Sequence, residues 1–539
     1  MSELGVVERQ IIWDRLVSVV EEQAQVLLRT AFATIVRECG DLSAGVFDVR
    51  GRMLAQAVTG TPGHVNSMAE SVKHFLTAFP PETMREGDAY ITNDPWKGTG
   101  HLNDFVVTTP AFLDGKLVGF FSCTSHLTDI GGIGFGPDAT DVHMEGIALP
   151  FLKVVDRGEV NRTLIEICKA NSRLPVEMEG DIYSLVACND VGVTRLQATM
   201  REFGLTDLEE IGGHIIATSQ AAVKEQLARV PPGTYRYAMT IDGYDAPIDL
   251  VASLIVDADG VRVDFDGTSP QAARGINVPL AYTTAYTCFG LMCALSPRVP
   301  NNAGSLGCFA VTAPAGSILN ALYPAPVSSR HIIGQMLPDV VFGCLRQAIP
   351  ERCPAEGTSC LWNMTFRGPR RGANDNRYGF AITVTSNGGT GARPDRDGLN
   401  ATAFPSGVKG TPVEIVEAMT PLLFWKKELR PDSGGNGTYR GGHGQIIEIE
   451  NTEGLPFELL AAFDRILYPP RGAAGGENGV AGGLTTSKGR ILKGKGFQKL
   501  DGDERLVVLT PGGGGYGDPA GRDEAACARD LMTGLATGS

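Results

Sequence analysis

Residues 104–126, DFVVTTPAFLDGKLVGFFSCTSH, are two apolar runs joined at Asp114-Gly115, and no other stretch restricts the fold as strongly. Asp-Gly tolerates the positive φ values of a tight reversal, so the two runs pair as an antiparallel hairpin. Register then decides which side chains share a face. A two-residue turn sets Asp104 opposite Ser125 and sends His126 to the other face. A three-residue loop ending in a left-handed Gly115 bulge sets Asp104 opposite Thr124, with His126 two residues along on the same face. Convergence of Asp104 and His126 therefore requires the bulged loop, or a kink at one strand end. His101 and Asp104 add a second condition: three residues apart, they face opposite ways in a strand and meet only on a turn or helix. The preceding Gly-Thr-Gly makes a turn there.

The chemistry of the region gives these conditions their interest. The chain has 8 histidines in 539 residues, and two fall in HLND (101–104) and SHLTDIGG (125–132). Asp41 stands upstream in ECGDLSAGVFD, just before an expected strand. Asp41, His101, Asp104 and His126 form a mixed nitrogen and oxygen set of the kind that suits Zn²⁺, Mn²⁺ or Fe²⁺. The eleven cysteines show no CxxC spacing and read as core residues, so thiolates do not hold a metal here. A second reading stands beside the first, with hydrogen-bonded histidines in a partly buried loop and aspartates as turn formers. His64, Asp94, Asp129, His143 and Glu145 are candidates to orient ligands or move protons. His74 and His214 fit ordinary helix positions.

The length implies two or more domains. PPGTYRY, beginning at Pro231, marks an expected boundary between an α+β domain at 1–230, carrying the candidate site, and a glycine-loop-rich α+β domain at 231–539. The expected fold class is α+β and multi-domain, with mixed and antiparallel sheets, packed helices and long glycine-rich loops. A net charge of -14 offers no basic face to nucleic acid. Neither a long apolar run nor a basic leader appears, which gives no membrane partner and a cytoplasmic location as the expectation. GxxxxGK[ST] and GxSxG are absent, and GGIGFG follows a hairpin rather than opening a βαβ unit.

Further along, periodicity predicts one helix over 6–38, a loop through Pro62, Gly63 and His64, and a helix over 67–78. A short strand is expected at 89–92 and a helical layer over 160–230, with Pro175 opening and Gly204 closing its second helix. Reversals are expected at Asp242-Gly243 and Asp259-Gly260, with helices near 283–295 and 332–349. NNAGSLG (301–307) reads as a glycine turn. DSGGNGTYRGGHG and TPGGGGYGDP read either as anion-binding nests of backbone N–H groups or as tight turns.

Taken together, NDPWKGTGHLND, SHLTDIGG, DATDVHMEGIALP, SNGGTGARPDRDG and DSGGNGTYRGGHG resemble the hydantoinase B/oxoprolinase family. That family holds the B-type components of ATP-dependent hydantoin and lactam hydrolases and related components of acetone- and acetophenone-type carboxylases. The resemblance runs from ECGDLSAGVFD to TPGGGGYGDP. It implies a divalent metal at Asp41, His101, Asp104 and His126, and a hydantoinase A-like partner that binds ATP, in a heterotetramer or larger assembly. It also implies opening of a small cyclic amide activated by phosphorylation in the partner, with Asp129 or His64 as proton acceptor. Many relatives carry HHAD where Leu127 follows His126 here, so a role for a second imidazole does not carry over. A ketone carboxylase component and a non-catalytic scaffold component are the alternative expectations.

Overall fold

The computed structural model describes residues 4–537 other than 59, 259 and 373–378. The expected hairpin is the middle of a seven-stranded antiparallel sheet. Its strands are β1 (Leu42–Phe47), β2 (Met53–Gln56), β3 (Ala89–Thr92), β4 (Asp104–Leu113), β5 (Lys116–His126), β6 (Leu152–Asp156) and β7 (Glu159–Val160), in spatial order β2-β1-β5-β4-β3-β6-β7. The central strands are buried almost throughout, because helices cover both faces. One face packs on α1 (Val6–Thr30) and α5 (Pro175–Glu202), the other on α3 (Pro62–Ala78). Along β4, Phe105 and Val107 accordingly enter one core while Val106 enters the other.

The hairpin meets the register condition by a route the turn did not announce. Leu113 pairs with Lys116, so the reversal is a two-residue turn with Asp114 and Gly115 both at positive φ. The extra residue lies farther along: Ala111 pairs with Gly119 and Phe112 with Leu117, leaving Val118 as a bulge. That one-residue shift carries down both strands and sets Asp104 directly opposite His126.

Other boundaries also differ from expectation for tertiary reasons. The helix expected over 6–38 breaks after Thr30 and resumes as α2 (Thr34–Arg37). At the break, the N–H groups of Phe32 and Ala33 donate to Asp181 Oδ1 on α5 (2.7 and 3.2 Å). A side chain 149 positions away thus supplies what helix continuation would have supplied. α3 starts at Pro62, so His64 lies in a helical first turn and not in a loop.

The expected helical layer is α4 (Arg162–Asn171), α5 and α6 (Glu209–Leu227), with Pro175 at the start of α5 and Gly204 left-handed after its end. Next come β8 (Gly233–Ile241), β9 (Ile248–Asp257) and β10 (Gly260–Asp264), then α7 (Leu280–Leu295), α8 (Ala303–Leu306), β11 (Phe309–Thr312), α9 (His331–Gly334) and α10 (Leu337–Leu345). β8–β11 form a four-stranded sheet whose β10–β11 pair is parallel. Ile241 and Ile248 flank the reversal at Asp242-Gly243; Asp259 lies outside the described residues. NNAGSLG is the short helix α8, capped by Asn302, rather than a turn. The helix expected near 332–349 is split into α9 and α10. Two further four-stranded antiparallel sheets complete the fold. Among the described residues no helix is long and apolar enough to cross a membrane.

The glycine-rich segments are neither nests nor simple turns. Residues 512–515 run through the interior as buried irregular backbone, and their four N–H groups donate to carbonyls of Val480, Gly442, Glu356 and Glu477 (3.1, 2.9, 2.9 and 2.9 Å). A Cβ on Gly512, Gly513, Gly514 or Gly515 would lie 1.8–2.2 Å from the carbonyl oxygen of Ser433, Thr390, Arg471 or Asn436. Backbones thus pack directly on backbones from several directions, which is why DSGGNGTYRGGHG, SNGGTG and TPGGGGYGDP need glycine. No N–H in the 512–515 run is left over for an anion.

Candidate metal centre

Asp104, the first residue of β4, is fully buried, and separate segments bring partners to it. The turn before β4 supplies His101, whose Nε2 lies 2.6 Å from Asp104 Oδ1. β5 supplies His126, with Nδ1 3.1 Å from the same oxygen. The first turn of α3 supplies His64, with Nε2 2.9 Å from Asp104 Oδ2. The segment before α9 supplies Arg330, which donates from Nη2 to Oδ2 at 2.6 Å and from Nε to Thr99 O at 2.7 Å. Two glycines admit this crowding. A Cβ on Gly63 would sit 2.5 Å from the Tyr286 ring of α7, and one on Gly100, at φ +94°, would sit 2.9 Å from Arg330.

His101, Asp104 and His126 each offer a donor atom within 4.8 Å of the others, and all three residues are buried. Protonation supports their use as ligands. Burial and the Arg330 charge outweigh Asp104 and push His101 down to about 3, so its imidazole is neutral. Its Nδ1 donates to Ser328 O at 2.8 Å, which leaves the lone pair on Nε2. Burial would raise Asp104, but the positive charge around it, from Arg330 and the His64 imidazole, brings it well below the carboxylate range. Two lone-pair donors therefore face each other 2.6 Å apart, and buried Nε2 atoms of His101 and His126 have no hydrogen-bond partner. Such a pair repels unless a cation sits at it, so the residues fit a divalent metal.

The other sequence candidates fall in different places. Asp41 stays outside the His–Asp–His set: its Oδ1 accepts from Thr61 Oγ1 (3.2 Å) and lies 3.5 Å from His64 Nδ1. His64 is thus wedged between two carboxylates. Burial lowers its pKa, but Asp104 and Asp41 together outweigh that and raise it above the ordinary imidazole value. Asp129 is turned away, taken up by the Arg173 guanidinium (2.6 Å) and by the backbone N–H groups of Gly131 and Arg173. His143 meets the hydroxyl of Tyr323 (2.9 Å), and Asp94 accepts from the N–H of Trp96.

Arg330, His331 and Tyr282 had no part in the sequence reading. Arg330 lies over the Tyr282 ring, its guanidinium carbon 4.0 Å from the centroid. His331 is buried, its Nδ1 without a partner, and Phe135 packs against it and against His101 and His126 (centroids 5.8, 5.8 and 4.7 Å). Phe135 comes from the GGIGFG loop, so that loop roofs the cluster with an aromatic ring. The available signal was weak: SSRH follows a proline-rich segment and is separated from HLND by more than two hundred residues.

The α+β scaffold thus buries a two-histidine, one-carboxylate set that could hold a metal ion, beside a fixed guanidinium and with one side closed by an aromatic loop. The chain belongs to the hydantoinase B/oxoprolinase family, whose model matches residues 6–519. It is 30% identical to 5-oxoprolinase 1 of Arabidopsis thaliana over 95% of this chain, which spans 42% of that longer protein. It is 28% identical to the beta component of the caprolactamase of Pseudomonas jessenii, over 95% of this chain and 91% of that one. Among solved structures, the ATP-dependent caprolactamase of Pseudomonas jessenii superposes with a TM-score of 0.91 at 25% identity, covering 99% of this chain and 95% of that one. A nucleotide-free acetone carboxylase shares the fold, with a TM-score of 0.85 at 18% identity over 98% of this chain and 78% of that one.

Proposed function

We propose that this chain is the B-type component of an ATP-dependent cyclic amide hydrolase and holds one divalent cation on His101, Asp104 and His126. The observation that carries the reading is the buried His–Asp–His set with opposed lone pairs. Relatives named as components of a hydantoinase and of a caprolactamase support the reaction class and a separate partner chain. Likeness to an ATP-dependent caprolactamase supports ATP use by the assembly.

Bound there, Zn²⁺, Mn²⁺ or Fe²⁺ supplies Lewis acidity toward a carbonyl or water oxygen. The chain's own residues supply the rest. Ser328 O fixes the His101 tautomer, and Arg330 keeps Asp104 ionised and immobile. Phe135 excludes bulk water from the two imidazoles. His64 holds a proton between Asp104 and Asp41, and so is the group placed to exchange it during ring opening. Asp129 organises the 129–132 loop through Arg173 and takes no proton.

Elemental analysis of the purified chain and of His126→Ala tests the reading, followed by ATP-dependent ring opening of hydantoin, 5-oxoproline and caprolactam with the partner present. One equivalent of metal, lost in the variant together with activity, is expected. A folded, partner-competent chain without metal would overturn it, and strict dependence on bicarbonate with a ketone substrate would redirect it to carboxylation.

A further inference from the structure

We propose that the cleft at the C-terminal end of α7 is a second ligand site, for a small organic anion with an apolar body, separate from the His–Asp–His cluster. Two adjoining cavities of about 860 and 360 Å³ share Cys293, Arg352 and Arg393 in their walls. The smaller is an apolar lobe against Phe342, Leu399 and Phe404; the larger is a mouth bearing Arg298, Arg352, Arg393 and Arg396. Tyr282, which carries Arg330 of the cluster, lies eleven residues before Cys293 on α7, about 16 Å along the helix axis.

The charge balance of the mouth points to an anion. Its carboxylates are already taken: Asp395 pairs with Arg396 (2.6 Å) and Glu225 with Arg229 (2.6 Å). Asp339, in the apolar lobe, accepts from Gly357 N and Ser359 Oγ and faces Arg465 at 3.7 Å. Three guanidinium groups remain poorly compensated. Arg352 reaches Glu351 only at 3.8 Å, and Arg393 donates to the carbonyl of Asp397 (3.0 Å) without a carboxylate in ion-pair range among the described residues. Arg298 has neither an ion-pair nor a hydrogen-bond partner among them. Burial, and after it the neighbouring Arg396, hold Arg393 below its ordinary range against the opposing pull of Asp395.

In a chain of net charge -14, three such groups around one void match the planar, forked recognition of a carboxylate or phosphate. The backbone leading to Arg393 is also closely packed. Arg393 follows Gly388, Gly389 and Gly391, which are locked by direct backbone contact with Pro511, Gly442 and Ala355. The SNGGTGARPDRDG stretch, for which the metal chemistry has no use, thereby acquires a ligand.

Calorimetric titration of the full-length chain with phenyl phosphate, benzoate and neutral benzamide, before and after chelator treatment, tests the proposal. Both anions are expected to bind about tenfold or more tighter than benzamide, and to weaken about tenfold or more in Arg393→Ala and Phe404→Ala. Arg393→Lys should recover part of the loss, and melting curves establish that each variant is folded. The tighter anion assigns the natural headgroup as phosphate ester or carboxylate. Equal binding of benzamide, retention of affinity in Arg393→Ala, loss of binding on chelation, or no binding of either anion would overturn it.

Discussion

Glu145→Gln isolates the energetics of one buried carboxyl that shapes the wall of the cluster. Glu145 Oε1 accepts from the backbone N–H groups of Val327 and Ser328, both at 2.7 Å, while Oε2 is buried without a partner. Burial outweighs those two hydrogen bonds and pushes the carboxyl from 4.5 up to about 8. Below pH 4.5 folded and unfolded chains both carry the proton, and stability does not depend on this group. From 4.5 to about 8 only the folded chain carries it, so stability falls as pH rises and levels off above 8.

That interval spans three to four pH units, and at about 1.4 kcal/mol per unit the loss approaches 5 kcal/mol, roughly 3 of it by pH 7. Glutamine keeps Oε1 as acceptor and has the shape of the neutral acid, so the variant should escape the loss. Urea unfolding of both proteins at intervals from pH 5 to 9 gives the difference, which cancels every other titrating group. It should be small at pH 5 and grow to several kcal/mol at pH 8 and above. An infrared band of protonated carboxyl at pH 7, absent from the variant, checks the same state directly. A difference that stays flat across the range would refute the reasoning. Because Ser328 O positions His101, activity of the native chain should also fall above pH 8 while the variant holds it.

Two further outcomes separate roles that the sequence left side by side. His64→Gln should keep its metal and its fold yet lose ring-opening activity by about 10²–10⁴-fold. Asp129→Asn should lose about 1–3 kcal/mol of stability through the Arg173 contact and leave metal content and turnover nearly intact, as metal analysis, denaturation and steady-state kinetics would show. Gly513→Ala places a Cβ 2.0 Å from Thr390 O with backbone on every side, and should cost more than about 4 kcal/mol; the soluble yield and melting temperature report it.

The legible part of this chain was local. The hairpin, the helical layer from α4 to α6 and the separation of His101, Asp104 and His126 from the cysteines all follow from patterns within a few residues. Contacts made across long separations were not legible. Nothing near residue 32 announces that Asp181 will receive two N–H groups and stop α1. Nothing near Val118 announces the bulge, because its cost and gain lie in how β5 packs between β1 and β4. Glycine runs read as turns by habit of short range, whereas here each lacks a side chain because another backbone segment fills that space.

The same distinction explains why two of the candidate ligands stand beside Asp104 and one does not. His101 and His126 reach Asp104 through one turn and one hairpin, elements that a single stretch of sequence specifies. Asp41 stands just before β1, beside β5, where its carbonyl accepts from the His126 N–H (3.4 Å), and its carboxylate meets α3, whose first turn begins five residues earlier than periodicity suggested. That earlier start is what inserts His64 between the two carboxylates. A buried carboxylate pair without a cation between them is costly, and an imidazole with a raised pKa relieves it. Asp41 therefore meets the cluster through His64, and a helix boundary placed five residues late hides the imidazole that stands between the two carboxylates.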